Sequence, residues 1–311
     1  MNSPLKPLFL CLSTLLLAAW ATSAIAADGA FEERLTIDGP IVLDVSTGSG
    51  RIEISPGPGN EAFIRGEIHV NKRGLFSGRR GDKDEIVQAV MDNPPIELDN
   101  GLLRIGRFDD RSLEKRVSIS YVITVPANTE TIASSGSGSI SVVDIAAPVE
   151  VSAGSGSIRL ENIGGAVEAS TGSGSIRADG VAGAFDGSTG SGKITMSQTA
   201  PGDVKVSTGS GGSELTNVVG AVRADAGSGR ITVQGRMEGD WELDSGSGGI
   251  HVTLPEDAAF DIDAESNSGG IDIDHPLTVQ GRISKRHITG NVRGGGPLLK
   301  IDTGSGGVRI N

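Results

Sequence analysis

Alternating apolar and polar residues, interrupted by a Gly-Ser-Gly triplet, recur along most of this sequence. The first glycines of successive triplets lie 18 or 19 residues apart, at Gly136, Gly154, Gly172, Gly190, Gly209, Gly227 and Gly246. Each copy predicts a short strand, a tight turn and a second short strand. A repeat of this length predicts a solenoid, in which every copy packs only against its neighbours.

Aligning the copies on the turn shows which side chains share a column. Apolar residues alternate before the turn, as in Val149 and Val151, and again after it, as in Ile158 and Leu160. Period-two alternation places them on one face of each strand, towards a narrow core. The position just before the turn continues this inward column with small residues: Thr47, Ser135, Ala153, Thr171, Thr189, Thr208, Ala226, Ser245, Ser266 and Thr303.

A single copy would also fit a hairpin meander. Stacking of like residues in register, one coil above the next at about 4.8 Å, favours a parallel arrangement. The sequence therefore predicts an all-β protein, a parallel β-helix (β-solenoid) of coils of about 18 residues.

The N-terminal third departs from the repeat. Residues 31–54 contain one coil, but the period is lost from Pro56 to about Glu130. Helical spacing after a capping Asp82, ended by Pro94, predicts one short helix near 83–92. We expect a first coil with a capping or inserted β subdomain over 27–131 and solenoid repeats over 132–311. Residues 72–80 form a basic, glycine-containing loop.

The C-terminal end also departs from the repeat. Residues 276–298 lack the turn motif and are predicted to form one degenerate coil, with a basic loop from Arg282 to Arg293. The chain finishes on the strand Val308–Ile310. We expect this strand to be an open edge, partly shielded by the basic loop, that supports weak self-association or docking.

The first 26 residues predict export. Lys6, an apolar run from Leu8 to Ala21, and the small residues ending at Ala26 have the order of a secretory signal peptide, residues 1–26. Cys11 lacks the small residue just before it that lipid attachment requires. The mature protein is expected in the periplasm, at the cell surface or outside the cell, and no other apolar run predicts a membrane span.

Charge limits the partners. The chain has a net charge of −12, which argues against nucleic acid or anionic lipid. Outward positions before the turn are mostly acidic, as at Glu150 and Glu168, and those after it are often basic, as at Arg159 and Arg177. This predicts an acidic face and a weaker basic face, and solvated surfaces of this kind also keep repeat arrays soluble.

Several features together resemble a known family. They are the signal peptide, the Ser-Thr-Gly-Ser-Gly turns, the strand ending in Val-Pro-Ala-Asn128 and the closing Thr303-Gly-Ser-Gly-Gly-Val-Arg-Ile310. The chain resembles a bacterial envelope family of unknown function described as candidate adhesins and built of glycine-rich β-strand repeats. The resemblance implies a β-helix-like fold outside the cytoplasm, and it transfers no catalytic or ligand-binding residue.

Three patterns look like ligand sites but do not meet the chemistry. Gly187–Ile194 nearly spells a phosphate-binding loop, yet the position needed for a Mg²⁺-binding hydroxyl is the apolar Ile194. The pairs Asp261/Asp263 and Asp272/Asp274 could offer oxygen ligands to Ca²⁺, but the calcium-binding β-roll repeat is missing. The four histidines, His69, His251, His275 and His287, show no metal-ligand spacing.

Two further functions fit the sequence less well. Some polysaccharide-cleaving enzymes are β-helices, but their grooves are built by long loops, and these corners are short from 132 to 256. An ordered hydroxyl face would use aligned outward serines, such as Ser152 and Ser170, but outward threonine pairs are missing. The sequence therefore predicts a non-catalytic interaction or structural scaffold without a cofactor, whose envelope or cell-surface partner it does not identify; a polysaccharide-degrading enzyme is the alternative.

Overall fold

A computed structural model describes residues 27–71, 80–108, 113, 115–279 and 284–311. The predicted signal peptide lies outside the described residues, as do residues 72–79 of the N-terminal basic loop. Strands are numbered along the chain, and each coil contributes one strand to each of two walls that enclose the core.

The first wall contains the strands that lead into a Gly-Ser-Gly corner. In stacking order it consists of β5 (Ile96–Asp99), β6 (Leu102–Ile105), β2 (Val42–Thr47), β8 (Glu130–Ser135), β10 (Val149–Ala153), β12 (Val167–Thr171), β14 (Phe185–Thr189), β16 (Val204–Thr208), the second halves of β17 (Ser213–Ala226) and β18 (Ile231–Ser245), β24 (Leu298–Thr303), β20 (Phe260–Ser266), β23 (His287–Val292) and β22 (Leu277–Val279).

The second wall contains the strands that leave the corner. In stacking order it consists of β1 (Gly29–Thr36), β4 (Glu61–Val70), β7 (Val117–Val125), β3 (Ile52–Pro56), β9 (Ile140–Val143), β11 (Ile158–Ile163), β13 (Ile176–Val181), β15 (Ile194–Gln198), the first halves of β17 and β18, β19 (Ile250–Thr253), β25 (Val308–Ile310) and β21 (Ile271–Ile273).

Like residues stack in parallel register, which confirms the predicted β-solenoid. Val149 pairs with Val167, and Ile158 pairs with Ile176, one coil away. The inward columns are buried along the array, while Ile271 and Ile273 are half-buried because β21 is the last strand of its wall. Apolar burial along these columns is therefore the main source of stability.

The Gly-Ser-Gly corners stack closely enough to require glycine. A Cβ on Gly174 would lie 1.9 Å from the carbonyl oxygen of Gly156 in the preceding coil. A Thr or Ser at the small inward position before a corner can bond to the backbone there: the Thr189 hydroxyl donates to Gly174 O at 2.9 Å and accepts from Gly192 N at 3.1 Å. Thr171, Ser245, Ser266 and Thr303 repeat both bonds in their own coils.

The N-terminal end is closed by antiparallel strands and a helix. Strand β4 pairs antiparallel with both β1 and β7, and β5 pairs antiparallel with β6. Helix α1 (Arg80–Asp92) confirms the predicted helix and buries Ile86, Val87 and Val90 in the core cluster. The domain division at residue 131 stays a prediction.

The C-terminal end differs from the prediction in two ways. The final strand β25 is not an open edge, because it lies between β19 and β21, and β24 likewise lies between β18 and β20. The predicted degenerate coil over 276–298 is instead an antiparallel pair, β22 with β23, and β23 also pairs antiparallel with β20. Its basic residues Lys285, Arg286 and Arg293 therefore flank a strand that covers β20, and Arg282 lies outside the described residues.

Replacing a buried column residue should destabilise the whole array. Ile176→Asp places a carboxylate where the side chain is 1% exposed, so we expect a loss of about 3 kcal/mol or more in the free energy of unfolding. Ser188→Asp introduces the same group at an exposed position one coil away and is the matched control. Chemical denaturation measures both; equal midpoints would contradict the assigned register.

Removing one corner hydroxyl should also be costly. Thr189→Val keeps the shape but leaves Gly192 N and Gly174 O without their partner, so we expect a loss of roughly 1–3 kcal/mol. Thr195→Val, at a half-buried outward position, is the control and should change stability little. Thermal unfolding of the two variants decides; similar losses would mean that the corner bonds are unimportant.

Candidate binding surface

The three ligand-like sequence patterns fall on ordinary solenoid elements. Ile194, the last position of the phosphate-loop look-alike, begins strand β15 and is fully buried. Asp261, Asp263, Asp272 and Asp274 are exposed along the C-terminal strands. Asp272 forms an ion pair with Arg309 at 3.2 Å, and Asp263 lies 3.3 Å from His287. Among the described residues, no group of three or more His, Cys, Asp or Glu side chains is arranged to hold a metal ion.

The predicted basic face is largely neutralised. The cations that follow the turns are Arg159, Arg177, Lys193, Arg230 and Arg309. Four of these five pair with a neighbouring acid: Arg159 with Glu161, Arg177 with Asp179, Lys193 with Glu214 and Arg309 with Asp272. The prediction of a basic face is therefore wrong. The prediction considered only the first outward position after each turn. The neutralising acids lie at the next outward position of the same strand, or in the neighbouring coil.

The first wall carries the candidate binding surface, a shallow groove that we call the axial groove. Its floor is a column of corner residues: Glu130, Pro148, Ala166, Ala184, Asp203, Ala221 and Asp240. Its rim is the next outward column: Ile132, Glu150, Glu168, Asp186, Lys205, Arg223 and Glu242. The cavity measures about 670 Å³. It crosses seven coils, roughly 29 Å at the spacing of β-strands.

The groove exists because its two columns differ in side-chain size. Small residues such as Ala166 and Ala184 occupy the corner, and the longer Glu168 and Asp186 stand beside them on the strand. The lining is mainly apolar, since alanine, proline and the stems of the longer side chains make up most of it. Sequence reasoning missed this site because it compared positions around the Gly-Ser-Gly corner, and the floor lies at the other corner of each coil.

The two halves of the groove differ in charge. In the C-terminal half the cations are already paired: Lys205 lies 3.0 Å from Asp186, and Arg223 and Lys300 both contact Glu242. These two cations, Lys300 first, hold the pKa of the Glu242 carboxyl below its usual range. Within the described residues, no cation lies within ion-pair distance of Glu130, Glu150 or Glu168 in the N-terminal half. That half is therefore an apolar floor beside unneutralised negative charge.

A second acidic feature lies beside the groove. Asp225, Asp244, Asp302 and Glu265 follow one another in one column of the first wall. Partial burial, then the charges of Asp302 and Asp225, raise the pKa of Asp244. The sequence did not reveal this stack, because Asp302 enters it from the out-of-order strand β24.

The comparison with known proteins gives one family match. Residues 114–311 match the model of a family described as Toastrack DUF4097. No curated protein matches the sequence. Among the described residues, no helix combines the length and apolarity needed to cross a membrane.

Three solved structures are similar to this chain, each at 12% sequence identity. They are a candidate cell adhesion protein from Clostridium sporogenes, with 91% of this chain and 99% of that one covered and a TM-score of 0.24; a candidate adhesin from Bacteroides fragilis, with 92% and 99% covered and a TM-score of 0.33; and a candidate lipid binding protein from Parabacteroides distasonis, with 92% and 98% covered and a TM-score of 0.37.

The stacked carboxylates predict a pH-dependent stability. Because folding raises the pKa of Asp244, the folded state disfavours its charged form, and this cost is present at neutral pH and disappears as the pH falls below the unfolded value of 3.8. Asp244→Asn should therefore stabilise the protein at pH 7, by only about 0.5 kcal/mol because solvent screens this partly buried side chain, and should have no effect at pH 3. Asp257→Asn, at an exposed loop position, is the control. Denaturant titrations at the two pH values test this; a gain independent of pH would contradict it.

Proposed function

Since the chain belongs to the Toastrack DUF4097 family, we propose that it is an exported, non-catalytic scaffold of the cell envelope. The axial groove is its binding surface. The observation that carries this proposal is the N-terminal half of the groove, where an apolar floor runs beside acids that no described cation neutralises.

The partner that fits this groove is an extended polypeptide segment with lysine or arginine beside small apolar residues. Its small side chains would cover Pro148, Ala166 and Ala184, and its cations would reach Glu150 and Glu168. Like charges in adjacent coils repel, so a bound cation relieves this repulsion as well as forming its own pair. Charge complementarity of this kind gives specificity and fast association rather than high affinity.

The non-catalytic part of the proposal is supported by the placement of the acids. The carboxylates of the groove rim and of the Asp244 column stand on exposed or half-buried strand positions along an open wall. Catalytic acids act more strongly where water is excluded. Loss of polysaccharide cleavage in Asp244→Asn, with the fold intact, would instead establish the enzyme alternative.

Peptide binding tests the groove. The probe is a fluorescent nine-residue peptide of alternating lysine and alanine, and the negative probe is its glutamate counterpart. We expect the lysine peptide alone to bind, with affinity that falls as salt is added. The double variant Glu150→Lys/Glu168→Lys should weaken binding at least about tenfold, because it reverses both free rim charges.

Two controls separate groove binding from general attraction to an acidic protein. Glu161→Lys makes the same kind of charge change on the second wall and should leave affinity nearly unchanged. Ala166→Trp fills the groove floor without changing charge and should weaken binding. No binding of the lysine peptide, or equal losses in the Glu161 and rim variants, would overturn the proposed site.

A further inference from the structure

Strand β1 leaves one long edge unpaired. Strand β4 is its sole partner among the described residues. Ile37 N donates to Asn60 O in the β1–β4 ladder, and Asn71 N donates to Arg116 O in the β4–β7 ladder. Because hydrogen-bonded residues alternate along an antiparallel strand, these two bonds show which residues of each strand bond to which neighbour. The odd-numbered residues of β1 bond to β4. The N–H and C=O groups of Ala30, Glu32, Arg34 and Thr36 therefore point away from the sheet.

The other strands at the two ends of the stack offer much less. Strand β5 has four residues, and β21 and β22 have three each, whereas β1 has eight. The edge of β21 is also partly used, because Ile271 N donates to Lys285 O. A long, unpaired edge is a template for another strand. The open edge of this solenoid is thus β1 at its N-terminal end, not the C-terminal strand β25.

The sequence of β1 is complementary to itself in one antiparallel register. When two copies pair about a two-fold axis through Glu33, Glu32 of each copy lies opposite Arg34 of the other. These two residues also form a hydrogen-bonded backbone pair, because the N–H and C=O groups of both point to the open edge. The same register places Phe31 opposite Leu35 on the inner face. Shifting the axis to residue 32 or 34 places Glu32 against itself or Arg34 against itself. One register therefore satisfies the charges, and its neighbours do not.

We propose that β1 is a homodimer interface, at which two copies of this chain join their second walls through an antiparallel β1–β1 pair. The occupant is a second copy because the charge pattern of Glu32 and Arg34 complements itself. The remaining cost lies at the axis, where the two half-buried Glu33 side chains meet. The two copies meet head to head, so that their second walls form one continuous sheet and each copy keeps its own axial groove on its first wall.

Charge reversal tests the register. Glu32→Arg and Arg34→Glu each place like charges opposite one another twice, so each should weaken the dimer at least about tenfold. An equimolar mixture of the two variants should recover it as a heterodimer, and the double variant Glu32→Arg/Arg34→Glu should recover it as a homodimer. Sedimentation velocity over a concentration series measures the dissociation constants. Glu265→Arg, at an exposed acid on the first wall outside the axial groove, is the matched control and should not alter the dimer.

Proline substitution tests the edge itself. Glu32→Pro removes an N–H that points to the open edge, so it should abolish the dimer while the melting temperature of the monomer stays close to that of the parent. Glu33→Pro removes an N–H that bonds to β4 and should lower the melting temperature. Glu33→Gln should tighten the dimer by removing the repulsion at the axis.

Three results would overturn the proposal. The first is a parent protein that is monomeric at every concentration. The second is a dimer that survives Glu32→Pro or either single charge reversal. The third is a mixture of the two reversed variants that stays monomeric although each is folded by circular dichroism. Because none of these variants touches the axial groove, peptide binding and dimerisation can fail independently.

Discussion

The close stacking of the Gly-Ser-Gly corners is the constraint on which the rest of the structure depends. The glycine that closes each corner leaves no room for a side chain against the coil before it, as at Gly174 against Gly156 O. This contact fixes the height of each coil, and the Thr189 type of hydroxyl bonds on both sides of it. Every outward column inherits that spacing, so the groove floor, its acidic rim and the Asp244 stack are all consequences of regular corners.

The sequence was sufficient for the repeated part of the fold because the information there is local and repeated. Val149 and Ile158 each recur in the next coil, and columns of like residues favour parallel stacking over a meander. Helix α1 was predictable from its apolar spacing, but it begins at Arg80, so Asp82 lies inside the helix and does not cap it. The order of strands β24 and β25 was not predictable, since nothing in Val308–Ile310 distinguishes a strand at an end from one inserted between two coils.

The candidate surfaces were likewise only partly predictable from the sequence. Outward acids such as Glu150 and Glu168 were visible in the sequence as a column, but the groove also needs the alanines of the opposite corner. The supposed basic face failed because ion pairs join residues from adjacent coils, as Lys193 and Glu214 do. An interaction surface on a solenoid is thus a property of how neighbouring coils combine, and single copies of the repeat contain only part of it.

The insertion of β24 and β25 between earlier coils has a consequence for the order of folding. Coils up to β19 can stack as the chain emerges, but β20 and β21 gain their parallel neighbours only when the last residues arrive, and Lys300 meets Glu242 across 58 residues of sequence. Forming such distant contacts is slow, because the chain loses the entropy of loop closure before strand pairing stabilises the structure. A chain truncated before β24 would retain its N-terminal coils and have a detached end. The C-terminal coils can therefore be completed only after the final strand has been synthesised.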